Sequence, residues 1–436
     1  MNNPASSSRA IFKPGEPLRG VISVPGCKGI SHRALLLAAL SDGGSVLRGL
    51  SLGGDVKSTL AVLEQLKIHA TATATATGSE LSLQSRGYDQ FAESGEPLEC
   101  GNSGTTMRML SGILVGRPFQ SVLIGDESLS TRPMARIVDP LQMMGAEIES
   151  TDGHSPIQIN GGALTGCRHD LSVASGQVKS ALLFAGMQAS GWTEIHEPAP
   201  SRDHTERMLS ALGAPIEILN SRTVRVRAVG ALAPFTIEIP GDASSAAFFV
   251  VAATIVPGSE ITIRGVGLNP LRVSYLDVLT EMGADIEREI TDERLGELVG
   301  NITVRSAPLS GVVIKSREGI IDELPILAVA AATAVGETTI TGAAEMRVKE
   351  SDRISTTVAM LNALGSRAVA TDDGLKIEGG SLLGGAVETH GDHRIAMCAA
   401  VAALVAAGHT EIIGWDAVQV SYPGFDVDLA RLRESN

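Results

Sequence analysis

A helix-containing unit that recurs six times is the feature of this sequence that most constrains its fold. Each copy carries a helix rich in small and apolar residues, and the first turn of that helix is polar. The copies follow one another at intervals of about 70 residues, a spacing typical of repeat architectures. The six segments are residues 24–39, 103–114, 176–187, 239–254, 321–334 and 392–407.

A second, amphipathic helix recurs between the copies of the first. Its four clear copies are each followed by a Gly, which suits the left-handed backbone at the end of a helix, and then by a strand with period-2 alternation. The Thr/Ala run at 71–77 predicts one such strand, half exposed. The clear copies are residues 137–149, 207–218, 276–287 and 358–369, and a weaker copy spans 60–70.

The repeating unit is therefore strand–helix–strand–helix–strand, and units of this kind must pack together because one cannot bury all its faces. A chain of 436 residues suits two domains of about 200 residues each. The Pro-Gly pairs at 25–26 and 240–241 mark where the chain passes between them. We predict three units per domain, with residues 27–240 in one domain and 1–26 plus 241–436 in the other. The alternative is chance similarity among Gly/Ala-rich helices, but two helix types recur in the same order.

Composition excludes several classes of protein. A net charge of −14 and only 3% aromatic residues argue against a nucleic-acid binder. The four cysteines are scattered without a CxxC pair, which predicts reduced thiols and a cytoplasmic location. The longest apolar stretch, 394–408, is too short to cross a bilayer. Metal-binding and nucleotide-binding motifs are missing, so we expect no metal and no cofactor.

Charged and polar residues crowd into the first turns of the buried helices. Cations such as Lys28 and Arg33 are unfavourable there, since a helix N-terminus already carries partial positive charge. If several such helices converge, their unpaired amides and these cations form a site for phosphate or carboxylate. The side chains are Lys28, Ser31, His32, Arg33, Asn102, Ser103, Thr105, Arg108, Ser175, Gln177, Lys179, Asp322, Glu323, Asp392, His393 and Arg394.

Two loops add to this set. Residues 125–140 place Arg132 and Arg136 on either side of a proline that can open a helix. Within residues 345–355, the seven residues 347–353 hold five charged side chains; this run alone favours a solvated helix start with weak Glu/Arg pairs. Asp322 and Glu350 are candidates for general base and general acid, and Asp322 is alternatively a helix N-cap. Cationic neighbours favour a base over an acid, so Glu350 can donate a proton only if desolvation offsets them.

These segments together resemble the 5-enolpyruvylshikimate-3-phosphate (EPSP) synthase family over almost the whole chain and in the family's order. The resemblance implies an α/β (α+β) fold of two domains, the enolpyruvyl transferase fold. It has six βαβαββ repeats, three per domain, arranged like an inverse α/β barrel and closing as a clamshell. The matching motifs include "PGCKGISHRALLLAAL", "CGNSGTTMRMLSG", "GDESLSTRPMARIVDPLQMMGA", "ASGQVKSALLFAG", "PSRDHTERML", "IPGDASSAAFFVVAA", "IDELPILAVAAA", "RVKESDRI" and "DHRIAMC".

The resemblance also implies a reaction and residue roles. The enolpyruvyl group of phosphoenolpyruvate passes to the 5-hydroxyl of shikimate 3-phosphate, and phosphate leaves. Asp322 is the expected base, Glu350 the expected acid, and Lys28 assists proton transfer. The residues implied for shikimate 3-phosphate are Lys28, Gly29, Arg33, Ser175, Gly176, Gln177, Arg202, Asp322 and Lys349. Those implied for phosphoenolpyruvate are Lys28, Gly104, Arg132, Gln177, Arg353 and Arg394.

Three positions depart from the family pattern. Gly29 stands where the family usually has Ser or Thr, and Gly176 where many members have Ser or Ala. Residues 417–425 lack a Lys that many members carry near there. Gly104 keeps the small residue beside phosphoenolpyruvate, which the family resemblance connects with glyphosate as an inhibitor.

Two rival functions stay open at this point. An enolpyruvyl transferase acting on a UDP-sugar usually has a catalytic Cys in a mobile loop, and residues 116–136 contain none. A non-catalytic anion-binding protein would tolerate the departures at Gly29 and 417–425. The leading expectation is an active monomeric synthase with two small-molecule substrates and no nucleic-acid or membrane partner.

Overall fold

Six small β-sheets organise the chain. The computed structural model describes residues 8–51, 53–75 and 78–434. Within them the strands form five four-stranded sheets and one three-stranded sheet, so the predicted six repeats are confirmed. The Thr/Ala run is a strand over Ala70–Thr75, and residues 76–77 of that prediction lie outside the described residues.

The regular elements follow in chain order. The strands are β1 (Arg9–Phe12), β2 (Arg19–Ile22), β3 (Asp42–Arg48), β4 (Ala70–Thr75), β5 (Gly78–Arg86), β6 (Leu98–Glu99), β7 (Gln120–Ile124), β8 (Glu147–Thr151), β9 (His154–Asn160), β10 (Arg168–Asp170), β11 (Trp192–His196), β12 (Ile216–Asn220), β13 (Thr223–Arg227), β14 (Thr236–Glu238), β15 (Glu260–Gly267), β16 (Asp285–Arg294), β17 (Glu297–Arg305), β18 (Val313–Lys315), β19 (Glu337–Thr341), β20 (Arg367–Thr371), β21 (Gly374–Glu378), β22 (Gly385–Glu388) and β23 (Thr410–Ile413). The helices are α1 (Lys28–Ala39), α2 (Gly54–Gln65), α3 (Gly104–Leu114), α4 (Glu127–Ser130), α5 (Ala135–Met143), α6 (Gly176–Gly186), α7 (His204–Ala211), α8 (Ala243–Ile255), α9 (Ser274–Met282), α10 (Leu324–Thr333), α11 (Arg353–Ala363), α12 (His393–Ala403) and α13 (Phe425–Glu434).

A complete repeat has the order strand–helix–strand–helix–strand–strand. In the repeat that starts at β6, α3 carries the chain from β6 to the parallel strand β7, as a parallel pair requires a crossover. The last two strands form a hairpin, and its second strand, β9, pairs antiparallel with β7. The sheet order is therefore β6-β7-β9-β8, and the repeats starting at β10 and β18 have the same order.

Two sheets exchange their first strands. β14 pairs with β3, and β2 pairs with β15, both in parallel. The amide of Cys27 donates to the carbonyl of Pro240, and the amide of Asp242 donates to that of Pro25, each at 2.8 Å. The sixth sheet is completed by the first strand of the chain, β1, which pairs antiparallel with β23. The Pro-Gly segments are thus the points where the chain leaves one set of repeats for the other.

The chain divides into two compact units. Unit 1 contains the chain up to Pro25, Gly241–Asp292 and the chain from Leu298 onward, and unit 2 contains Gly26–Pro240 and Glu293–Glu297. The boundary near Pro25 lies one residue before the predicted one. Residues 293–297 were predicted within the 241–436 segment, but the structure groups them with unit 2. They comprise the end of β16, the two-residue turn 295–296 and the first residue of β17, Glu297, which contacts His204.

Each unit is built around its own helices of the first type. In α8 all residues from Ala243 to Thr254 are buried, because small and apolar side chains cover the whole helix rather than one face. The amphipathic helices lie partly exposed and end as predicted, at glycines with left-handed backbone. The φ angles are +89° at Gly145, +72° at Gly213, +109° at Gly283 and +85° at Gly365.

Helices α3 and α6 approach each other closely at Gly112. A Cβ on Gly112 would lie 2.0 Å from the carbonyl oxygen of Ala181. Helix propensity favours Ala over Gly by about 1 kcal/mol, yet we expect Gly112→Ala to lower the free energy of unfolding by about 1–3 kcal/mol through overpacking. Thermal melting measures the change. The matched control is Gly54→Ala in α2, where nothing lies within 4 Å and about 0.4–1 kcal/mol of stabilisation is expected. Equal shifts for both variants would contradict this packing.

The described residues contain no helix that is both long enough and apolar enough to span a membrane. The four cysteines form no disulfide, and three of them, Cys27, Cys100 and Cys398, are buried. Burial raises the pKa of Cys100 and Cys398, which makes these thiols poor nucleophiles.

Candidate functional site

The implied site residues fall into two groups, one in each unit, and each group is described in its own unit. The members in unit 2 are Lys28, Gly29, Arg33, Gly104, Arg132, Ser175, Gly176, Gln177 and Arg202; those in unit 1 are Asp322, Lys349, Glu350, Arg353 and Arg394.

Lys28 is the first residue of α1, and its charge is partly balanced. Its Nζ lies 2.9 Å from Oδ2 of Asp55, which stands in the first turn of α2. The Lys28 side chain keeps 32% of its surface exposed. The ammonium therefore remains able to reach an anion while Asp55 reduces the cost of a cation at this helix end.

Arg33 is fixed in a buried network that joins three helices. Its guanidinium donates to Thr205 Oγ1 at 2.6 Å and to Ser180 Oγ at 2.9 Å, and it reaches the carbonyl oxygens of Gly29 and Gly176. Burial lowers its pKa to about 10, so it stays protonated at neutral pH. These bonds hold the cation in one orientation, as a preorganised carboxylate-binding group requires.

The front of α6 is capped and tightly packed. The Ser175 hydroxyl accepts from the amide of Val178, and the Ser175 amide donates to Glu197 Oε1 at 3.2 Å. A Cβ at Gly176 would lie 3.0 Å from the carbonyl oxygen of Arg202. This close approach accounts for Gly176 at a position where Ser or Ala is common in the family, and it places Arg202 against the start of α6.

Gln177 links α6 to the front of α3. Its Oε1 accepts from Arg108 Nη1 at 2.6 Å, and its Nε2 donates to Thr105 Oγ1 at 2.9 Å. Gly104 opens α3 beside this pair, and a Cβ there would lie 3.1 Å from Arg108 Nη1. A larger residue at 104 would therefore displace the arginine that orients Gln177.

Arg132 is positioned by a short relay of polar side chains. Its Nη2 donates to Asn102 Oδ1 at 2.7 Å. The amide nitrogen of Asn102 in turn donates to both carboxylate oxygens of Asp126, and Asp126 caps α4 by accepting from the Leu129 amide at 2.8 Å. The orientation of Arg132 thus depends on the cap of a neighbouring helix.

Lys179 is a structural residue, although the sequence groups it with the helix fronts. It is buried and forms ion pairs with Glu197 at 2.6 Å and Glu206 at 2.8 Å. Burial opposes its charge, but the two carboxylates outweigh burial and raise the pKa of Lys179. Its ammonium is committed to this triad, so we assign it no ligand.

His32 is a second structural member of the helix fronts. It is fully buried, and its Nδ1 forms a 2.7 Å hydrogen bond with Thr59 Oγ1, which bonds Thr106 in turn. Burial is the main reason that the pKa of His32 falls from 6.5 to about 3. The ring is therefore neutral at physiological pH and does not contribute to anion binding.

The lowered pKa of His32 predicts acid sensitivity of unit 2. As pH falls below 6.5, the unfolded chain takes up a proton that folded His32 refuses until about pH 3, so stability is lost across that window. His32→Asn, which keeps a donor for Thr59, should reduce the loss between pH 7 and pH 4 by about 3 kcal/mol. Urea unfolding at both pH values, followed through Trp192 in a Trp415→Phe background, measures it. An unchanged pH dependence would contradict the assignment.

In unit 1, Arg353 lies at the centre of three carboxylates and is only 1% exposed. Its guanidinium contacts Glu350 Oε2 at 2.6 Å, Asp392 Oδ2 at 2.9 Å and Asp322 Oδ1 at 3.3 Å. Although burial opposes the charge, these neighbours raise the pKa of Arg353. The solvated interpretation of residues 345–355 is therefore wrong for Arg353.

Asp322 stands where two further cations converge. Lys349 Nζ lies 3.8 Å from its carboxylate, and Arg394 Nη1 donates to its backbone carbonyl at 2.8 Å. The N-cap position of α10 belongs to Glu323, which makes no side-chain cap bond there; Asp322 is not that cap. Its carboxylate is oriented by cations, a setting that favours a base.

Asp392, which the sequence placed among the helix fronts without a specific role, is a positioning residue. It caps α12 by accepting from the Arg394 amide at 2.9 Å, and Ser351 donates to it at 2.9 Å. Burial works in the opposite direction, but the charge of Arg353 lowers the pKa of Asp392. Asp55, in contrast, was missed by the sequence analysis, because an acid in the first turn of a helix is common and the sequence does not indicate its partner.

The part of the chain that the structure describes holds no group of three or more His, Cys, Asp or Glu side chains suited to a metal ion. What the two groups offer is oriented arginine and lysine beside helix N-termini, together with carboxylates in contact with those cations. Such an arrangement binds phosphate and carboxylate groups and can move protons next to them.

Comparison with known proteins agrees with this chemistry. The family model for EPSP synthase (3-phosphoshikimate 1-carboxyvinyltransferase) matches residues 12–429. The 3-phosphoshikimate 1-carboxyvinyltransferase of Acidithiobacillus ferrooxidans is 48% identical over 96% of both chains. That of a Synechococcus species is 47% identical over 98% of this chain and 97% of its own.

Solved structures show the same architecture. An EPSP synthase from Acinetobacter baumannii superposes with a TM-score of 0.87 at 38% identity, covering 98% of both chains. The enolpyruvyl transferase NikO from Streptomyces tendae gives a TM-score of 0.78 at 18% identity, which shows a shared fold. The predicted fold is thereby confirmed, and the chain belongs to the EPSP synthase family.

Proposed function

We propose that this chain catalyses the family's reaction, the transfer of the enolpyruvyl group of phosphoenolpyruvate to the 5-hydroxyl of shikimate 3-phosphate. The observation that carries the proposal is the family match over residues 12–429. It is supported by the two groups of oriented cations, because both substrates carry a phosphate and a carboxylate. The product is the precursor of aromatic amino acids in the shikimate pathway.

Shikimate 3-phosphate is assigned to the fronts of α1 and α6. Arg33 binds its carboxylate, supported by the four hydrogen bonds that fix the guanidinium. Ser175 and Arg202 bind the phosphate, with Lys349 as a further cation. The Ser175 hydroxyl is already an acceptor in the α6 cap, so its proton is available to a phosphate oxygen.

Phosphoenolpyruvate is assigned to Arg132, Arg353 and Arg394, with Gln177 and the backbone at Gly104. The bond from Arg108 orients the carbonyl oxygen of Gln177 and leaves the amide nitrogen facing Thr105. Arg353 must share its guanidinium between Glu350 and the arriving phosphate or carboxylate. An anion there weakens the hold of Arg353 on Glu350, which favours the protonated form of that carboxyl.

The chemistry is addition followed by elimination. Glu350 gives a proton to the methylene carbon of phosphoenolpyruvate, so its C2 becomes electrophilic. Asp322 takes the proton of the 5-hydroxyl as the oxygen bonds to C2, forming a tetrahedral intermediate. The carbon–oxygen bond to phosphate then breaks as the leaving phosphate takes the proton held by Asp322, and the methyl group returns its proton to Glu350. Lys28 contacts both substrates and assists proton transfer.

A phosphate-release assay tests the function. With both substrates present, we expect phosphate to form in stoichiometric amount with the enolpyruvyl product, and neither substrate alone should yield it. Replacing shikimate 3-phosphate by a UDP-sugar tests the rival transferase, and release with that acceptor only would overturn the proposal. Binding of both substrates without turnover would instead support the non-catalytic rival.

We further propose that the protein acts as a monomer in the cytoplasm with these small molecules as its ligands. Every residue assigned to a substrate comes from one copy of the chain. Light scattering of the eluting protein should give a mass near 45.2 kDa. A mass of twice that value at assay concentrations would contradict the monomer.

A further inference from the structure

Gly29, where the family usually has Ser or Thr, leaves a side-chain position open beside Arg33. A Cβ on Gly29 would lie 3.6 Å from Arg33 Nη1, an ordinary contact distance. The φ angle of Gly29 is outside the left-handed region. Neither crowding nor backbone conformation therefore requires a glycine here, and position 29 supplies no side-chain hydroxyl.

The ring of His204 borders the same position. Its Cδ2 and Nε2 lie 3.7 and 3.9 Å from the Cβ that Gly29 lacks. The side chain is 3% exposed, and Nδ1 is fixed by a 2.7 Å contact with Oε1 of Glu297, which is 0% exposed. A histidine held at one ring nitrogen presents the other in a defined direction. Among the described residues, Nε2 has no hydrogen-bond partner.

We infer that His204 binds the carboxylate of shikimate 3-phosphate through Nε2, in place of the hydroxyl that Gly29 lacks. This inference rests on the proposed function, which assigns that carboxylate to the neighbouring Arg33. An imidazolium donates from both ring nitrogens, so Nδ1–H bonds Glu297 and Nε2–H bonds the ligand.

The position of Glu297 strengthens the assignment. Glu297 is the first residue of β17 and lies 93 positions beyond His204 in the sequence. It nevertheless groups with unit 2, whereas most of its own hairpin belongs to unit 1. Removing a partner from a buried charge is costly. The chain therefore keeps a buried carboxylate in contact with the ring that faces Gly29.

A double-mutant cycle on ligand affinity tests the inference. His204→Asn keeps an amide that can bond Glu297 but removes the donor at Nε2. Calorimetric titration with shikimate 3-phosphate should show affinity about 10- to 100-fold weaker than that of the native protein, as expected for a lost hydrogen bond to a charged group. In a Gly29→Ser background the added hydroxyl supplies the contact, and the same His204→Asn change should then cost less than about threefold.

The outcomes separate this inference from the proposed function. If the native protein does not bind shikimate 3-phosphate, the proposed function fails and the inference fails with it. If the native protein binds but His204→Asn has no effect, or an equal effect in both backgrounds, only the inference is overturned. Should His204→Asn fail to fold by circular dichroism, His204→Gln replaces it. The Gln amide reaches the Nε2 position, so affinity should stay within about threefold of native, and a tenfold or greater loss contradicts the inference.

Discussion

Replacing Asp322 by Asn should lower kcat for phosphate release by about 10²- to 10⁴-fold, the usual contribution of a general base. The affinities for both substrates should change little, because the substitution keeps the side-chain shape and leaves the backbone carbonyl that holds Arg394 in place. Removing one of the three carboxylates around Arg353 also makes its guanidinium a better anion partner. The KM for phosphoenolpyruvate should therefore stay equal or fall.

Steady-state kinetics and calorimetric titration of the same preparation separate turnover from binding. Glu378→Gln, which removes an exposed surface carboxylate of the same unit, is the control and should leave both quantities unchanged. Undiminished turnover in Asp322→Asn would refute the assigned base. A loss of turnover that came entirely from lost substrate affinity would show instead that Asp322 acts in binding.

Replacing Arg353 by Met should cost unit 1 about 3–5 kcal/mol in free energy of unfolding, the range for a buried charge cluster that loses one partner. The change leaves Asp392, which is 0% exposed, next to two other carboxylates without their shared cation. Adding Asp392→Asn to the same chain removes the buried negative charge, so part of the lost stability should return.

The two tryptophans allow unit 1 to be followed by itself. Trp415 packs against Phe12 in unit 1 with ring centroids 4.9 Å apart, and Trp192 lies in unit 2. In a Trp192→Phe background, urea unfolding of Arg353→Met is read from Trp415 alone. Arg367→Met, which breaks an ion pair at a side chain that is 82% exposed, is the control and should cost less than about 1 kcal/mol. Equal losses in the two variants would contradict a buried role for Arg353.

The repeat architecture was predictable because its signals are local. A polar first turn and a run of small apolar residues mark each helix of the first type, and a glycine follows each clear copy of the second type. Each of these signals lies within about four helical turns. The exchanged strands β2 and β14 also follow from sequence, since a Pro-Gly pair follows each of them in the same pattern. The sixth repeat was less predictable, because its sheet is completed by the first strand of the chain and not by a hairpin.

The site was only partly predictable, because its charges are paired over long distances in the sequence. Lys179 and His32 share the helix fronts with Lys28, and only burial distinguishes them. The contact between His204 and Glu297 joins residues from separate repeats, and no local sequence pattern predicts it. The charged run at 345–355 looks solvated in isolation, but Asp392 from another helix makes Arg353 part of a buried cluster.

A crystal structure with shikimate 3-phosphate and phosphoenolpyruvate bound tests the central claim most directly, namely that the cationic fronts of the buried helices hold the substrates' anionic groups. We expect the shikimate carboxylate at Arg33 and the two phosphates at the α6 front and at Arg353. Ligand density away from these helix starts, with the arginines still paired to their present carboxylates, would contradict the account.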